Sequence, residues 1–356
     1  MRFQPVALRP AEEELRAEVR AFLAEELPRG SYRPGLGMNA VHSPEFSKKL
    51  AERGWVGMAI PPEYGGHGRS PVDRFIVAEE LLAAGAPVAA HWTADRQTAP
   101  TILAFGTEDQ RRRFLPAIAR AECFFSIGMS EPDAGSDLAA VRTVASPVEG
   151  GFVLNGTKIW TSGAHLNHFF CVLCRTSPPA EDRHQGLSQL IVSLSADGVE
   201  VHPIPFLDGS HHFNEVVLHD VFVPETMALG EVGMGWHQVT SELSYERSGP
   251  DRFLSTYQLL ETYLAEQATT GTLPERASDA VGRLSARYWT IRQLSLSVAR
   301  ALERGQAPAV ESAMVKDLGT TFEQEVVAVL GDLLDLDPDP ESSSLFESLL
   351  AQATLV

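Results

Sequence analysis

Cysteine is scarce in this chain of 356 residues: Cys123, Cys171 and Cys174 are the three present, too few for a disulfide framework. Cys171 and Cys174 form a C-x-x-C pair, but they lie in the apolar run FFCVLCR with no second pair nearby. Buried strand thiols are therefore the preferred reading over zinc or redox chemistry. Long apolar runs are lacking too. No stretch approaches the roughly eighteen apolar residues that a membrane helix needs, and the start, MRFQPVALRPAEEEL, has no apolar leader core, so a cytoplasmic location is expected. Basic charge is short as well: 29 Lys and Arg face 47 Asp and Glu, a net charge of -18. That excludes sequence-independent nucleic-acid binding, which depends on a basic surface, and an anionic small ligand would need a local basic patch. Repeats and low-complexity tracts are absent from the sequence. What remains is ordinary globular material, 44% hydrophobic and 21% charged, long enough for two or three domains.

Apolar periodicity divides the chain into three. Leu15, Val19, Phe22 and Leu23 recur at helical spacing across 11–27, and 43–53, 72–85, 98–105 and 108–120 read as further helices. From Phe124 the period shortens to two, and runs at 124–129, 151–160, 168–175, 187–194, 199–204 and 213–223 read as strands of a compact β domain, a small barrel or sandwich. After Gly230 the helical period returns over 236–264, 276–303, 307–334 and a shorter 342–356. The fold class expected is α+β and multidomain: an N-terminal helical domain (1–122), a central β domain (123–233) and a C-terminal helical bundle (234–356).

Two strand ends carry the polar chemistry. FFSIGMSEPDAGSD (124–137) starts as an alternating strand and breaks into a loop bearing Ser130, Gly135, Ser136 and Asp137. LNGTKIWTSGA (154–164) ends in Trp160, Thr161 and Ser162. Two strand ends tipped with hydroxyls, one with a large aromatic, suit a flat polar ring lying across a sheet; as isolated residues, the same hydroxyls would only cap turns.

The helix, β, helix order and these motifs, together with GWVGMAIPPEYGGHG, GTEDQRRRFLP and FNEVVLHDVFVPETMALGEVGMGW, resemble the acyl-CoA dehydrogenase family over nearly the whole chain. The resemblance implies FAD as cofactor and an acyl-CoA thioester as substrate. Ile127, Met129 and Ser130 would approach one edge of the flavin ring and Trp160, Thr161 and Ser162 the other, with the Ser162 hydroxyl beside the hydride-accepting N5. Gly135 and Ser136 would meet flavin phosphate or the pantetheine arm. Removing a proton α to a thioester needs a carboxylate base. The Tyr-Glu-Gly-Thr motif that many members carry near the C-terminus is missing here. A smaller group places its glutamate on the first long helix after the β domain, just before an arginine; in SELSYERSGPDRF that makes Glu246 the base and Arg247 its neighbour, with Leu243 and Ser244 in the acyl pocket. Pro250 would bend this helix beyond the base and widen the pocket for a bulky, steroid-like acyl group.

Two motifs that hold the far half of FAD across a subunit interface in the family are also missing. ATTGTLPERASDA stands where Arg-x-x-Phe-Gly is expected, and in VVAVLGD, Ala328 replaces the glutamine and Asp332 the second glycine of Gln-x-x-Gly-Gly. A carboxylate beside a pyrophosphate is repulsive. The resemblance therefore implies a hetero-oligomer, α2β2, in which a homologous subunit supplies the missing grip, and an electron-transfer-flavoprotein-like acceptor. The sequence ends at AQATLV, before the family's last helix, which normally gives one N–H to the thioester carbonyl. A flavin oxidase or monooxygenase of the same fold, or a catalytically silent scaffold subunit, are the alternative functions.

Overall fold

The computed structural model describes residue 3 and residues 5–178, 181–246, 248–271, 273–334 and 344–355, in backbone alone at 242–246, 270 and 355. Helix α1 (Pro10–Glu26) starts with Pro10 in its first turn and Glu12 folding back onto the Arg9 N–H, and it turns Leu15, Val19, Phe22 and Leu23 inward. Helices α2 (Pro44–Glu52) and α3 (Pro71–Ala83) begin alike, with Ser43 or Ser70 as N-cap and proline next, where its missing N–H costs no helix bond. Then α4 (Ala89–Thr93), a π turn (Ala94–Thr98) and α5 (Ala99–Phe105) run on as one rod. The helix expected from Thr98 thus begins earlier, and the π turn marks Pro100, which has no N–H to offer the Arg96 carbonyl. Helix α6 (Glu108–Ala119) is capped by a reciprocal Thr107–Gln110 pair. The Gln110 amide then donates to the Thr226 and Ala228 carbonyls at 2.8 and 2.6 Å, fastening this helix to the far end of the sheet.

Among the described residues, one seven-stranded sheet carries the centre of the chain: β1 (Phe125–Gly128), β2 (Val144–Val148), β3 (Gly151–Lys158), β4 (Phe169–Arg175), β5 (Leu187–Ser193), β6 (Val199–Ile204) and β7 (Phe213–Pro224). The order is β1-β4-β2-β3-β7-β6, with β5 also on β4. Six strands fall where the alternating runs lie. The seventh, β2, was not anticipated, because VASPV is mostly exposed and contains Pro147, the composition of an edge rather than a core strand. Yet β2 joins the two halves of the sheet, antiparallel to β3 along its length and bridged to β4 by Val144 and Arg175.

The C-terminal helices are α7 (Gly235–Glu246), α8 (Tyr257–Thr270), α9 (Glu275–Glu303), α10 (Ala309–Gly331) and α11 (Leu345–Leu355). The expected single helix 236–264 is two. Rather than bending at Pro250, the chain leaves the helix: Gly249 is extended (φ -73°, ψ 167°), and Pro250 opens a 3-10 turn, Pro250–Arg252. The residue before a proline is pushed out of the helical region, and the fully buried Phe253 and Leu254 that follow anchor the new direction. Helices α1–α3 and α8–α11 share one apolar core, and a second covers the sheet. Two buried guanidinium–carboxylate forks cross the first: Arg300 on Glu12 at 2.7 Å, and Arg292 on Glu79 at 2.6 and 2.8 Å.

On α10, Glu323 accepts the Ser255 N–H at 2.7 Å. Burial, with Asp251 adding to it, pushes this carboxyl up to about 7. A folded-state pKa above the unfolded one gives stability that is complete below the unfolded pKa and is lost as pH rises through the folded value. Glu323→Gln keeps the accepting oxygen, so stability should be unchanged near pH 4 and higher by about 3 kcal/mol at pH 8. Urea unfolding at the two pH values measures it; equal increments at both would contradict the assigned titration.

Candidate active site

The strand-end motifs converge because a buried cation joins them. Along β3, Phe152, Leu154 and Lys158 share the inward face, and Lys158 is 0% exposed. Its Nζ donates to the Met129 carbonyl at 3.0 Å and to Glu131 Oε1 at 2.8 Å. The same carboxylate accepts the Arg142 and Thr143 N–H groups at 2.6 and 2.9 Å. Burial works against the charged form of Glu131, but Lys158 and these amides prevail and hold its carboxyl below the usual range. Burial draws the Lys158 ammonium down, with Glu131 opposing. Two further ties close the junction: Ile159 N–H donates to the Ser130 carbonyl at 2.9 Å, and Ser126 Oγ to the Ser162 carbonyl at 2.7 Å.

On this junction Trp160 stands in the left-handed region (φ 59°) with its side chain 53% exposed, its ring edge-on to Phe213 at 5.7 Å. A non-glycine residue held there costs roughly 1–2 kcal/mol and marks a position that its surroundings over-determine. Next to it, Thr161 exchanges backbone bonds with Asn214 at 2.9 and 3.1 Å, while its hydroxyl is buried without a partner. Ser162 lines a cavity of about 390 Å³ together with His42, His165, His211 and His212. Ile127, Met129 and Ser130 are half-buried at the end of β1, whereas Gly135 and Ser136 are exposed on the following loop. That loop is held from behind by Arg175, whose guanidinium donates to the Val141, Ala139, Gln185 and Arg183 carbonyls.

The arrangement fits a flavin ring. An exposed aromatic plane, a buried hydroxyl without a partner and a cavity-lining serine follow one another in sequence, which is the donor-and-plane pattern a flat, acceptor-rich ring requires. The far half of the dinucleotide finds less: Asp332 is exposed at the end of α10, its carbonyl accepting from Arg276 at 3.0 Å, and Ala328 offers no polar group.

Glu246 is the last residue of α7, a helix that packs against β5, α5 and the π turn. The side chains of Leu243, Ser244 and Glu246, and Arg247 altogether, lie outside the described residues. A cavity of about 510 Å³ opens against Ser248–Asp251, two residues beyond Glu246, and against α3, the π turn and α5. The larger cavity, about 810 Å³, lies among α1, α3, α8 and α9 and is lined by none of the strand-end residues.

Sequence reasoning missed Glu131 and Lys158, although the strand period alone puts Lys158 on the inward face of β3, where a cation demands a partner. It also missed Arg74 and Arg96, which meet in the cavity beside α7; no linear signal joins residues on separate helices.

Helices, one sheet and helices again, with hydroxyls and a tryptophan gathered at two joined strand ends, define the acyl-CoA dehydrogenase class. The chain belongs to the acyl-CoA dehydrogenase family: residues 9–122 match the family's N-terminal domain and 126–221 its middle domain. It is 32% identical to Acyl-CoA dehydrogenase FadE29 of Mycobacterium tuberculosis, over 98% of this chain and 91% of that one. Among solved structures, the Tcur3481-Tcur3483 steroid ACAD superposes with a TM-score of 0.87 at 30% identity, covering 99% of this chain and 93% of its own. The ChsE4-ChsE5 complex from Mycobacterium tuberculosis gives 0.83 at 30% identity, covering 98% and 92%. The family, fold class and enzyme class read from the sequence therefore hold. Among the described residues no helix is long and apolar enough to cross a membrane.

Lys158→Met leaves Glu131 buried without its cation, a change expected to cost about 3–5 kcal/mol; denaturant unfolding checks it, and a loss below 1 kcal/mol would show the pair to be dispensable. Trp160→Gly relieves the backbone and removes a largely exposed ring, so thermal unfolding should register a change below about 1 kcal/mol. A markedly larger loss would place the ring in the core instead.

Proposed function

We propose that this chain is the base-bearing subunit of a hetero-oligomeric, FAD-dependent dehydrogenase that introduces an α,β double bond into a bulky, steroid-like acyl-CoA. The carrying observation is the junction of the two strand ends under Trp160, a ledge for a flat ring held by the Lys158–Glu131 pair. FAD supplies the acceptor for the hydride that leaves Cβ. Ile127, Met129 and Ser130 border one edge of the ring, Trp160, Thr161 and Ser162 the other, and Gly135 and Ser136 meet its phosphate or the pantetheine arm. Glu246 takes the proton from Cα, the role of a general base. The resemblance assigns Arg247 to shaping and charging the pocket, and Leu243 and Ser244 to the acyl group. N–H donors on the thioester carbonyl stabilise the enolate-like charge that develops as the proton leaves.

The proposed partner is a homologous subunit in an α2β2 assembly, since Ala328 and Asp332 leave the dinucleotide's far half without a grip. Two of the similar structures support this reading: ChsE4-ChsE5 is a complex, and Tcur3481-Tcur3483 is a steroid ACAD. We further propose a cytoplasmic setting, three domains at 1–122, 123–233 and 234–356, and electron delivery to an electron-transfer-flavoprotein-like acceptor.

Made alone, the chain should be colourless or poorly flavinated, and co-expression with a homologous partner should restore flavin absorbance. Full FAD occupancy in the lone chain would refute the shared site. In the assembled enzyme Glu246→Gln should lower kcat by roughly 10²–10⁴-fold, the usual contribution of a general base; unchanged turnover would leave the chain a scaffold. Butyryl-CoA and palmitoyl-CoA should be poor substrates beside a polycyclic thioester, and matching rates would remove the bulky-acyl reading.

A further inference from the structure

The cavity beside the end of α7 combines two properties that rarely coexist. Its walls are apolar, with Ile60, Phe75, Trp92, Leu103 and Leu302 among them, and its volume of about 510 Å³ lies within the roughly 300–1,000 Å³ typical of ligand sites. Yet Arg69, Arg74 and Arg96 also line it, with Asp95 and Asp251, and the fold itself brings Arg74 and Arg96 together. Pro100 has no N–H for the Arg96 carbonyl, and the Arg74 guanidinium donates to that freed carbonyl at 3.3 Å.

Neither charge is neutralised as the protein's structural arginines are. Arg292 and Arg300 each make a two-pronged bond to one carboxylate. In the cavity, the Arg74 Nε is buried without a partner. The Arg96 guanidinium lies over the Trp92 ring at 4.7 Å, and among the described residues its nearest carboxylate is Asp95, 3.7 Å away, with no hydrogen bond to its side chain. Asp95 gives one oxygen, Oδ1, to the Gly57 N–H at 2.8 Å and turns only Oδ2 toward Arg96, and the other carboxylate of the cavity, Asp251, sits 3.0 Å from Arg252; both act on Arg96 at a distance without a hydrogen bond. Burial, and then the Arg74 charge, pull the Arg96 guanidinium down to about 9. Arginine is ordinarily a fixed cation, and Arg96, half-buried with 16% of its side chain exposed, is a partly desolvated charge without matching hydrogen bonds that favours an arriving anion.

We propose that this cavity receives an acyl group with an apolar, ring-sized body and a carboxylate at the end remote from the thioester, and that Arg74 and Arg96 hold that carboxylate. The proposal rests on the dehydrogenase reading and names the substrate class of the same site. A carboxylate matches guanidinium donors better than any neutral oxygen does. Flavin phosphate does not fit the place, because none of the strand-end residues of the hydroxyl-tipped ledge lines this cavity. Arg74 and Arg96 here are specificity determinants, and the base and the ring ledge operate without them.

Calorimetry on the full chain with adamantane-1-carboxylate and adamantane-1-carboxamide tests the anion site without any turnover. The carboxylate should bind at least about tenfold more tightly, a modest figure for a desolvated charge pair. Arg96→Gln and Arg74→Gln should each remove most of that preference, and Arg96→Lys should keep part of it. Equal affinity for the two probes, or a preference that survives both glutamine variants, overturns the proposal. In the assembled enzyme, the CoA monothioester of an alicyclic dicarboxylic acid should exceed its terminal carboxamide at least about tenfold in kcat/KM, through KM more than kcat; equal values would overturn the role in substrate choice. Turnover of neither thioester, beside an intact carboxylate preference, would instead overturn the dehydrogenase reading and leave the anion site standing.

Discussion

A single buried ion pair, Lys158 with Glu131 at 2.8 Å, is the constraint on which the rest of the site depends. Each charge alone is costly to bury, and their mutual attraction repays that cost only with the remaining donors and acceptors satisfied. Here they are: the ammonium also bonds the Met129 carbonyl, and the carboxylate takes two backbone N–H groups. The consequence is geometric. The loop after β1 cannot move relative to the end of β3, so the hydroxyls of one strand end and the tryptophan of the other keep a fixed relation. The left-handed backbone at Trp160 is tolerated because Lys158 on one side and the Thr161–Asn214 backbone pair on the other leave it no other course.

How much of this was legible in the sequence depended on whether the signal was local. The short β-type runs from Phe124 to Val223 gave six strands nearly to the residue: β3 and β7 carry a buried face, while β4 and β5 are short, near-continuous buried runs bounded by turns, and both patterns are written locally. The strand β2 escaped because it is held by pairing with β3 and a bridge to β4 rather than by burying its own side chains. Exposed residues and Pro147 made it look like a turn, although it is the link between the sheet's halves. Glu131 and Lys158 were each visible, but a pair separated by 27 positions shows itself only once β1 and β3 are placed.

The helical break after Glu246 illustrates the opposite failure. Apolar spacing continues across 236–264, and the sequence therefore reads as one long helix with Pro250 as a bend. What the pattern does not register is that Phe253 and Leu254 are needed in a core shared with α3 and α10, and reaching it requires the chain to change direction. Leaving the helix places Ser248, Gly249 and Pro250 in the cavity wall. The widened pocket expected from a bend is thus formed by a different local structure, in which a short extended step replaces a kinked helical turn.

The two halves of the site are consequently built from materials of different stiffness. The ring ledge stands on paired strands, cross-linked by a buried ion pair and backbone bonds, and every one of its ties is independent of the acyl group. The cavity proposed for the acyl group is assembled from a helix start, a π turn, a 3-10 turn and the sides of α5 and α9, elements of separate helices and turns rather than one paired sheet. Rigid elements suit chemistry, which needs the reacting atoms held to a fraction of an ångström; helix ends and turns change shape at less cost to the whole. Such a division lets the acyl pocket be reshaped, through residues such as Arg74, Arg96 and Pro100, while the sheet that orients the ring stays as it is. The charge left under-compensated in that pocket then has a reason to persist under the proposed substrate choice, and the stability it forfeits is small beside the shared core that holds the helices together.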